Sequence, residues 1–394
     1  MRTLRSTQIG ILGWLTLLLL MASAGVAKTE DYVYRTNSDN TITITEYTGS
    51  NVVVTVPGTI NHLPVTCIGN AAFGRRRDLT SVTIGSSVTN IGRCLFFRCE
   101  NLTSVTIPES ITNVWPFQCT FYNCTALTTI TVNALNPAVS SVDGVLFDKN
   151  KTTLMFCPCG KAGSYTIPDG VTSIATGAFA RCALTNVTIP DSFTSIAQGA
   201  FCDCTALTSV TIGNGVTTIG RGAFRGCSRL TTVTIPVSVT TIESDAFNSC
   251  FNLTNVSIPN TVTTIGCMAF SSCFSLTNIS IPNSVTNIGD AAFSDCTNLT
   301  IVTIPDSVTS IERNAFTGCS GLTNVTIGIG VTTISGGAFS QCTNLTSVHF
   351  KGNASDIRAY ALFKGDTKAT VYYLPGTKGW GPTFGGRPTK VWKQ

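Results

Sequence analysis

The feature of this chain that most constrains its fold is an internal repeat. From Phe201 to Phe339 a Phe recurs at a constant interval, and each copy carries a Cys three positions after that Phe. Earlier copies, with small changes in spacing, centre on Phe73, Phe96, Phe121 and Phe179. A fixed period of about 23 residues is typical of a solenoid, in which every repeat forms one coil that stacks on its neighbours.

Each repeat contains one segment with the alternation of a strand. In LTSVTI, residues 207–212, positions 1, 4 and 6 are apolar, and position 1 is Leu in all eleven clear copies. The β-branched residues predict a short strand, which ends at the following Pro or Gly because Pro cannot donate to a ladder. One such strand per coil, about 4.8 Å from the next, predicts a parallel sheet along the solenoid.

The remainder of each coil is also patterned. After Pro236, Val239 and Ile242 predict a second extended stretch that faces inward, and Ala246-Phe247 predicts a short helical or 3₁₀ turn. A single unit of this length cannot bury its apolar face alone, so neighbouring coils must stack. In one copy the expected core residues are Ala223, Phe224, Cys227, Leu230, Val233 and Ile235.

The repeat, written IGxxAFxxCxxLTxVTIPxSVTxI, resembles the BspA-like subfamily of leucine-rich repeat proteins over residues 67–350. It departs from the common leucine-rich pattern because it lacks the regular Asn after the strand. The resemblance implies an α/β solenoid that is right-handed and curved, with a parallel sheet on its concave face. It also implies a bacterial secreted or surface protein, since such solenoids often bind other proteins or host surfaces.

Three further segments complete the predicted organisation. Alternating strands in 28–66 are expected to cap the first coil, and residues 351–394 to cap the last, because an uncovered end exposes core and strand edge. The repeat is interrupted between Phe121 and Phe179. Within that interruption, apolar VLF and LMF flank DKNKTT, which predicts a hairpin insertion over about 133–164 that stands off one coil.

Positions 1–27 have the layout of a secretory signal peptide. Arg2 and Arg5 precede an apolar run, and small residues then offer cleavage after Ala24 or Ala27. The alternative is a membrane anchor, but the run from Ile9 to Met21 is shorter than the roughly 20 residues that a spanning helix needs. We therefore expect a secreted or cell-surface protein with no membrane span in its mature chain.

Composition argues against several classes of function. Charged residues make up 11% of the chain, and the formal net charge of +5 falls to +3 when Arg2 and Arg5 are removed. No basic run is long enough to follow a phosphate backbone, so nucleic-acid binding is not expected. No catalytic triad, carboxylate pair, phosphate loop or cofactor motif accompanies the two His residues, and His349 is interpreted as a surface or cap residue.

The 17 cysteines raise the question of a metal array or a disulfide ladder. Metal sites group Cys and His at short spacings such as C-x₂-C, which this chain lacks, so no metal site is expected, and a buried row of small apolar thiols is the favoured interpretation. Cys157 and Cys159 are interpreted as structural or unpaired. Cys94 and Cys119 both lie two positions before their repeat Phe, at a wetter position, and one coil spacing suits a disulfide between them. The ten cysteines of the row are Cys99, Cys124, Cys182, Cys204, Cys227, Cys250, Cys273, Cys296, Cys319 and Cys342.

The remaining candidate site is the strand face. Positions 3 and 5 should point outward, and they carry hydroxyl and amide groups in most copies. A flat, weakly charged surface of this kind favours a non-enzymatic binding protein with a protein or glycan ligand. The alternatives are a structural spacer or matrix protein without a specific ligand and an enzyme with its chemistry in 133–164. The candidate binding residues are Ser209, Thr211, Thr232, Thr234, Asn255, Ser257, Asn278, Ser280, Thr303, Asn324 and Thr326.

Overall fold

The computed structural model describes residues 26–113, 117–354 and 360–393. The signal peptide predicted for 1–27 lies outside these residues except for its last two. In the described part of the chain, no helix is long and apolar enough to cross a membrane.

The elements are short strands throughout, with one brief helix among the described residues. The first strands are β1 Val26–Lys28, β2 Tyr32–Thr36, β3 Ile42–Tyr47, β4 Val53–Thr55, β5 Thr59–Ile60, β6 Leu63–Ile68, β7 Ser81–Thr83, β8 Asn90–Ile91 and β9 Ser104–Ile107. Helix α1 Phe117–Thr120 precedes β10 Thr129–Val132, β11 Val139–Val142, β12 Val145–Asp148, β13 Thr153–Phe156, β14 Ala162–Thr166, β15 Ser173–Ile174, β16 Ala183–Thr188, β17 Ser195–Ile196, β18 Ser209–Thr211, β19 Thr218–Ile219 and β20 Thr232–Thr234. The last are β21 Thr241–Ile242, β22 Asn255–Ser257, β23 Thr264–Ile265, β24 Asn287–Ile288, β25 Ile301–Ile304, β26 Ser310–Ile311, β27 Asn324–Ile327, β28 Thr333–Ile334, β29 Ser347–Phe350, β30 Thr370–Tyr373, β31 Thr383–Phe384 and β32 Arg387–Val391.

The predicted strands form one side of a β-solenoid, except that the copy at 276–281 makes only an isolated bridge, between Ser257 and Ser280. These main strands pair in parallel along three runs, β4-β7-β9-β10, β14-β16-β18-β20-β22 and β25-β27-β29-β30-β32. Register repeats with the sequence, so that Ser209 pairs with Thr232 and Thr232 with Asn255. The second extended stretch is more regular than predicted. It forms its own parallel sheet of two-residue strands, β17-β19-β21-β23-β24-β26-β28.

The core between the two sheets consists of rows of identical side chains. Ala223, Phe224, Cys227, Leu230 and Val233 are all buried, as the repeat predicts, and so is Ile235. The Phe rings of successive coils stack with centroids 5.2 to 5.4 Å apart from Phe201 to Phe339. Because this spacing follows the distance between paired parallel strands, ring stacking and backbone pairing reinforce each other.

The short helical turn predicted at Ala246-Phe247 is wrong, and the α/β assignment is not confirmed. Two positions before and two after Phe247, Asp245 and Ser249 have φ of 60° and 62°, and the equivalent residues of the other coils share this left-handed conformation, except Cys119 in α1. Residues alternating in this way cannot wind into a right-handed helix. The turn instead bonds to the next coil, because Phe224 N donates to Ala246 O at 2.8 Å.

The hairpin predicted within 133–164 forms, but it does not stand off the coil. β11 pairs with β12 and β12 with β13 in antiparallel fashion, but β13 then pairs in parallel with β15 of the next coil. Val145, Leu146, Phe147 and Leu154 are buried, so this segment contributes to the core and does not stand off it. Phe156 precedes Phe179 by one full repeat period, a signal that the interruption concealed.

The two ends are covered by strands of different pairing. At the start, β1, β2 and β3 form an antiparallel sheet, and the Tyr47 ring stacks on Phe73 at 5.3 Å to begin the aromatic row. At the other end the ring of Phe363 continues the row beyond Phe339 at 6.1 Å. β32 then pairs in parallel with β30 and antiparallel with β31. Both ends of the stacked core are therefore covered.

Replacing Phe247 by Ala should destabilise the protein strongly, because this fully buried ring stacks on a ring at each side. We expect a loss of about 3–5 kcal/mol from removal of the ring and the cavity it leaves. The matched control is Val237→Ala in the same coil, where the side chain is 73% exposed and the change should stay within about 0.5 kcal/mol. Urea unfolding followed by circular dichroism measures both, and equal effects would contradict the stacking argument.

Candidate functional site: the outward face of the main strands

The outward face is defined here as strand positions 3 and 5 of the coils from β18 to β27. Most of its predicted residues are exposed, while Ser209, Asn324 and Thr326 are half-buried. The intervening position 4 residues, such as Val233 and Val256, are buried, so the strands alternate between core and solvent. Parallel register places most of the candidate residues in two rows along the solenoid, and Ser280 joins its row through an isolated bridge with Ser257.

Hydroxyl groups at position 2 have a structural role that the sequence did not reveal. Thr254 Oγ1 donates to Thr231 O at 3.1 Å, and Thr231 Oγ1 donates to Thr208 O at 3.3 Å. Similar bonds join the equivalent Thr residues of several other coils. The invariance of Thr at position 2 among the copies is therefore explained by bonds between coils, which leave this hydroxyl donor unavailable to a ligand.

The hydroxyl and amide groups of positions 3 and 5 are in a different state. Among the eleven candidate residues, Ser209 donates to Asn186 Oδ1 at 2.6 Å, and the other ten make no side-chain hydrogen bond within the described residues. The face also carries no ionisable side chain from Ser209 to Thr326, and Ile301 is its single exposed apolar residue. It therefore offers neutral donors and acceptors that the fold itself does not use.

An aromatic cluster continues the position 5 row toward the C-terminal end. Thr326 pairs with His349, and His349 pairs with Tyr372. The His349 ring stacks on Tyr372 at 4.9 Å and lies 4.6 Å from the Trp392 ring, while burial lowers the pKa of the imidazole. The sequence contained a signal for this extension, because VYY at 371–373 repeats the pattern of VHF at 348–350.

The row of ten cysteines is buried, as expected, but each thiol does more than fill space. Cys227 Sγ donates to Phe201 O at 3.2 Å, and Cys250 Sγ donates to Phe224 O at 3.2 Å, one coil back in each case. Burial raises the pKa of Cys227 and Cys250, and it raises that of Cys99 to about 12. A protonated thiol is a donor and a poor nucleophile, so the row links coils and is chemically inert.

The other cysteines are placed as follows. Cys94 is half-buried and Cys119 exposed, both as free thiols, and burial followed by the charge and hydrogen bond of Cys119 raises the pKa of Cys94. These two side chains are therefore neighbours, and the disulfide between them stays a prediction. Cys157 and Cys159 are buried. No group of three or more metal-ligating side chains occurs within the part of the chain that the structure describes.

Comparison with known proteins gives a consistent family. The family model described as the BspA-type leucine-rich repeat region (6 copies) matches residues 58–152, 151–274 and 263–375. A leucine-rich cell surface protein from Faecalibacterium prausnitzii A2-165 has a similar structure, with 31% identity, a TM-score of 0.56 and coverage of 85% of this chain and 97% of its own. No curated protein matches this chain.

Two further solved structures share the fold. A leucine-rich repeat protein from Bacteroides ovatus ATCC 8483 has 23% identity and a TM-score of 0.55, and the match covers 93% of this chain and 100% of that one. One from Eubacterium ventriosum ATCC 27560 has 23% identity and a TM-score of 0.56, with coverage of 79% and 93%.

Oxidised protein should contain a Cys94–Cys119 disulfide, because the two thiols are neighbours on adjacent coils. Alkylation of the unreduced protein followed by peptide mass mapping should recover the two linked peptides. The buried Cys250 in the same sample should appear as an unmodified thiol that becomes alkylated only after unfolding. Recovery of both Cys94 and Cys119 in alkylated form would rule out the bond.

Stability should fall steeply at alkaline pH. Burial raises the pKa of Cys159 to about 11 and that of Cys99 to about 12 from an ordinary value of 9.0. Above pH 9 the unfolded chain therefore loses thiol protons that the folded chain keeps, and the free energy of unfolding decreases as pH rises to about 11 or 12.

Cys250→Ala tests this linkage through the slope of the free energy of unfolding against pH, and not through the absolute stability. Removal of one fully buried thiol should reduce the slope of the free energy of unfolding by about 1.4 kcal/mol per pH unit between pH 9 and 11. Urea titrations at four pH values measure the slope. An unchanged slope in the variant would mean that these thiols do not control alkaline unfolding.

Proposed function

Because this chain belongs to the BspA-type leucine-rich repeat family, we infer that it is a binding protein that recognises a protein or glycan through the outward face of its main strands. The observation that carries this proposal is the division of hydroxyl groups on the strands. Those of position 2 are bonded between coils, whereas ten of the eleven candidate residues at positions 3 and 5 make no side-chain hydrogen bond within the described residues. Part of the proposal is that this face is the concave side of a right-handed solenoid.

The location proposed for the protein is the cell surface or the extracellular medium. The similar protein from Faecalibacterium prausnitzii is described as a cell surface protein, and positions 1–27 of this chain read as a signal peptide. A surface of neutral hydroxyl and amide groups suits this location, because contacts that carry no charge are little weakened by salt. Adhesion or recognition by many modest contacts is the activity we propose.

The proposal includes a non-enzymatic mode of action. The insertion at 133–164 is where an enzymatic alternative would place its chemistry, but its polar groups maintain its own fold. Asp148 accepts hydrogen bonds from Thr152 Oγ1 and Thr153 N, both at 2.7 Å. Lys149 Nζ donates to two backbone carbonyl groups, those of Ala134 and Asn136. These contacts favour a structural role for the insertion.

A double substitution on the face, Thr234→Arg with Ser257→Arg, should abolish ligand binding while leaving the fold intact. The two side chains are exposed, adjacent on paired strands and without side-chain hydrogen bonds, so the change adds bulk and charge without removing a contact. Mature wild-type protein is first screened on a glycan array and by pull-down. Each ligand found is then titrated against the variant, and we expect its affinity to fall at least about tenfold.

The matched control is Val237→Arg with Asn260→Arg, since both positions are exposed and lie outside the main strands. It should bind every ligand as the wild type does, and equal unfolding midpoints should show that all three proteins are folded. Ligands that bind both double variants equally would place the site elsewhere. A screen without any ligand would favour the spacer alternative.

A further inference from the structure

The stacked core is divided at the insertion, where two apolar clusters meet. Phe156 packs in the N-terminal cluster and stacks on Phe121 at 5.3 Å, whereas the next residue, Cys157, packs in the C-terminal cluster. Cys157 N donates to Ala178 O at 2.7 Å, the bond that a repeat Phe makes elsewhere. Cys157 therefore occupies the backbone position of the repeat Phe, and no ring contact joins Phe156 to Phe179 in the described residues.

A second row of side chains is also interrupted beside this division. In two coils before the division, Phe97 and Tyr122 directly follow the repeat Phe, and their rings stack at 5.4 Å with planes 13° apart. In the two regular coils that follow the division, the same position is held by Ala180 and Cys202. Small side chains thus stand where two preceding coils have rings.

An open cavity of about 310 Å³ results. Its walls include the rings of Phe121, Tyr122 and Phe156, the small side chain of Ala180 and the thiol of Cys202. Burial raises the pKa of Cys202 to about 11, which keeps this thiol protonated and apolar in character at neutral pH. The cavity reaches the lower limit of size that is typical of small-molecule pockets.

One cation stands at this cavity. The Arg181 guanidinium lies 4.5 Å from the centre of the Tyr122 ring, and its Nη1 donates to Asn123 Oδ1 at 2.9 Å. Asp203 Oδ2 is 3.7 Å from Arg181 Nε, a loose ion pair that leaves the guanidinium with more N–H donors than these contacts use. The charge is therefore held in place beside an aromatic wall, ready for an anionic group.

We propose that this cavity binds a planar two-ring aromatic molecule that carries a carboxylate. The rings would lie against the Phe156 ring, Ala180 and Cys202, beside the face of Tyr122 that Arg181 already covers, and the carboxylate would accept hydrogen bonds from Arg181. Size supports two rings, because the cavity has about twice the volume of an engineered 150 Å³ cavity that takes one benzene. This site is independent of the outward face and of any ligand bound there.

The probes are 2-naphthoate and its uncharged amide, 2-naphthamide, titrated into the mature chain by isothermal calorimetry. Wild-type protein should bind 2-naphthoate more tightly than 2-naphthamide. Arg181→Gln should weaken 2-naphthoate about tenfold and leave 2-naphthamide unchanged, because only the charged probe uses the guanidinium. Arg98→Gln is the matched control, since Arg98 stands in the same register next to Phe97 but lies outside the cavity, and it should change neither affinity.

Ala180→Tyr should block the cavity and abolish binding of both probes. The protein should tolerate this change, because the same position holds Phe97 and Tyr122 in other coils, and an unchanged unfolding midpoint verifies that it does. A second experiment uses the wild-type protein and measures whether the ligand protects Cys202 from alkylation. At pH 9, saturating 2-naphthoate should slow alkylation of Cys202 at least about fivefold, whereas half-buried Cys267, which does not line the cavity, should react at its usual rate.

Three outcomes would overturn the proposal. These are absence of binding of 2-naphthoate at millimolar concentration, retention of binding by a folded Ala180→Tyr variant, and equal slowing of alkylation at Cys202 and Cys267. None of these outcomes bears on the outward face, whose ligands are tested by separate variants.

Discussion

Parallel pairing between coils is the constraint on which the rest of this structure depends. Once each strand pairs in register with its neighbour, every side chain lies about 5 Å from its equivalent in the next coil. A row must therefore consist of side chains that tolerate their own copies at that distance. Flat rings satisfy this requirement in the Phe row, at 5.2 to 5.4 Å between centroids. Thiols and hydroxyls satisfy it by donating to a carbonyl one coil back.

The core could be predicted from the sequence because the same apolar positions recur in every copy of the repeat. Phe224, Cys227 and Leu230 are inferred from spacing and apolarity alone, and all three are buried. The turn could not be predicted in the same way. Its conformation is set by left-handed residues such as Asp245 and Ser249, which have no common residue type among the coils. The hairpin of the insertion could be predicted, but its place in the core could not, since Cys157 takes the backbone position of a Phe while the ring of Phe156 packs on the preceding coil.

The candidate site shows where residue type stops being informative. Thr231 and Thr232 are neighbours of the same type, yet Thr231 Oγ1 donates to the preceding coil and Thr232 Oγ1 makes no hydrogen bond within the described residues. Alternation along the strand predicts that Thr232 faces outward, but it does not indicate which hydroxyl group donates a hydrogen bond to another coil. The same limit applies to cysteine. Spacing identifies the buried row, whereas the donation of Cys250 to Phe224 O depends on the path of the backbone in the preceding turn.

Regular stacking also restricts where specificity can arise. Similar coils present similar groups, so a ligand that contacts only the hydroxyl rows gains affinity with length but is weakly fixed in position along them. A fixed position requires a feature that occurs once. The aromatic cluster at His349 and Tyr372 marks one end of the position 5 row, and Ile301 is the single exposed apolar residue of the face. Departures from the repeat, and not the repeat itself, are therefore able to fix the position of a ligand.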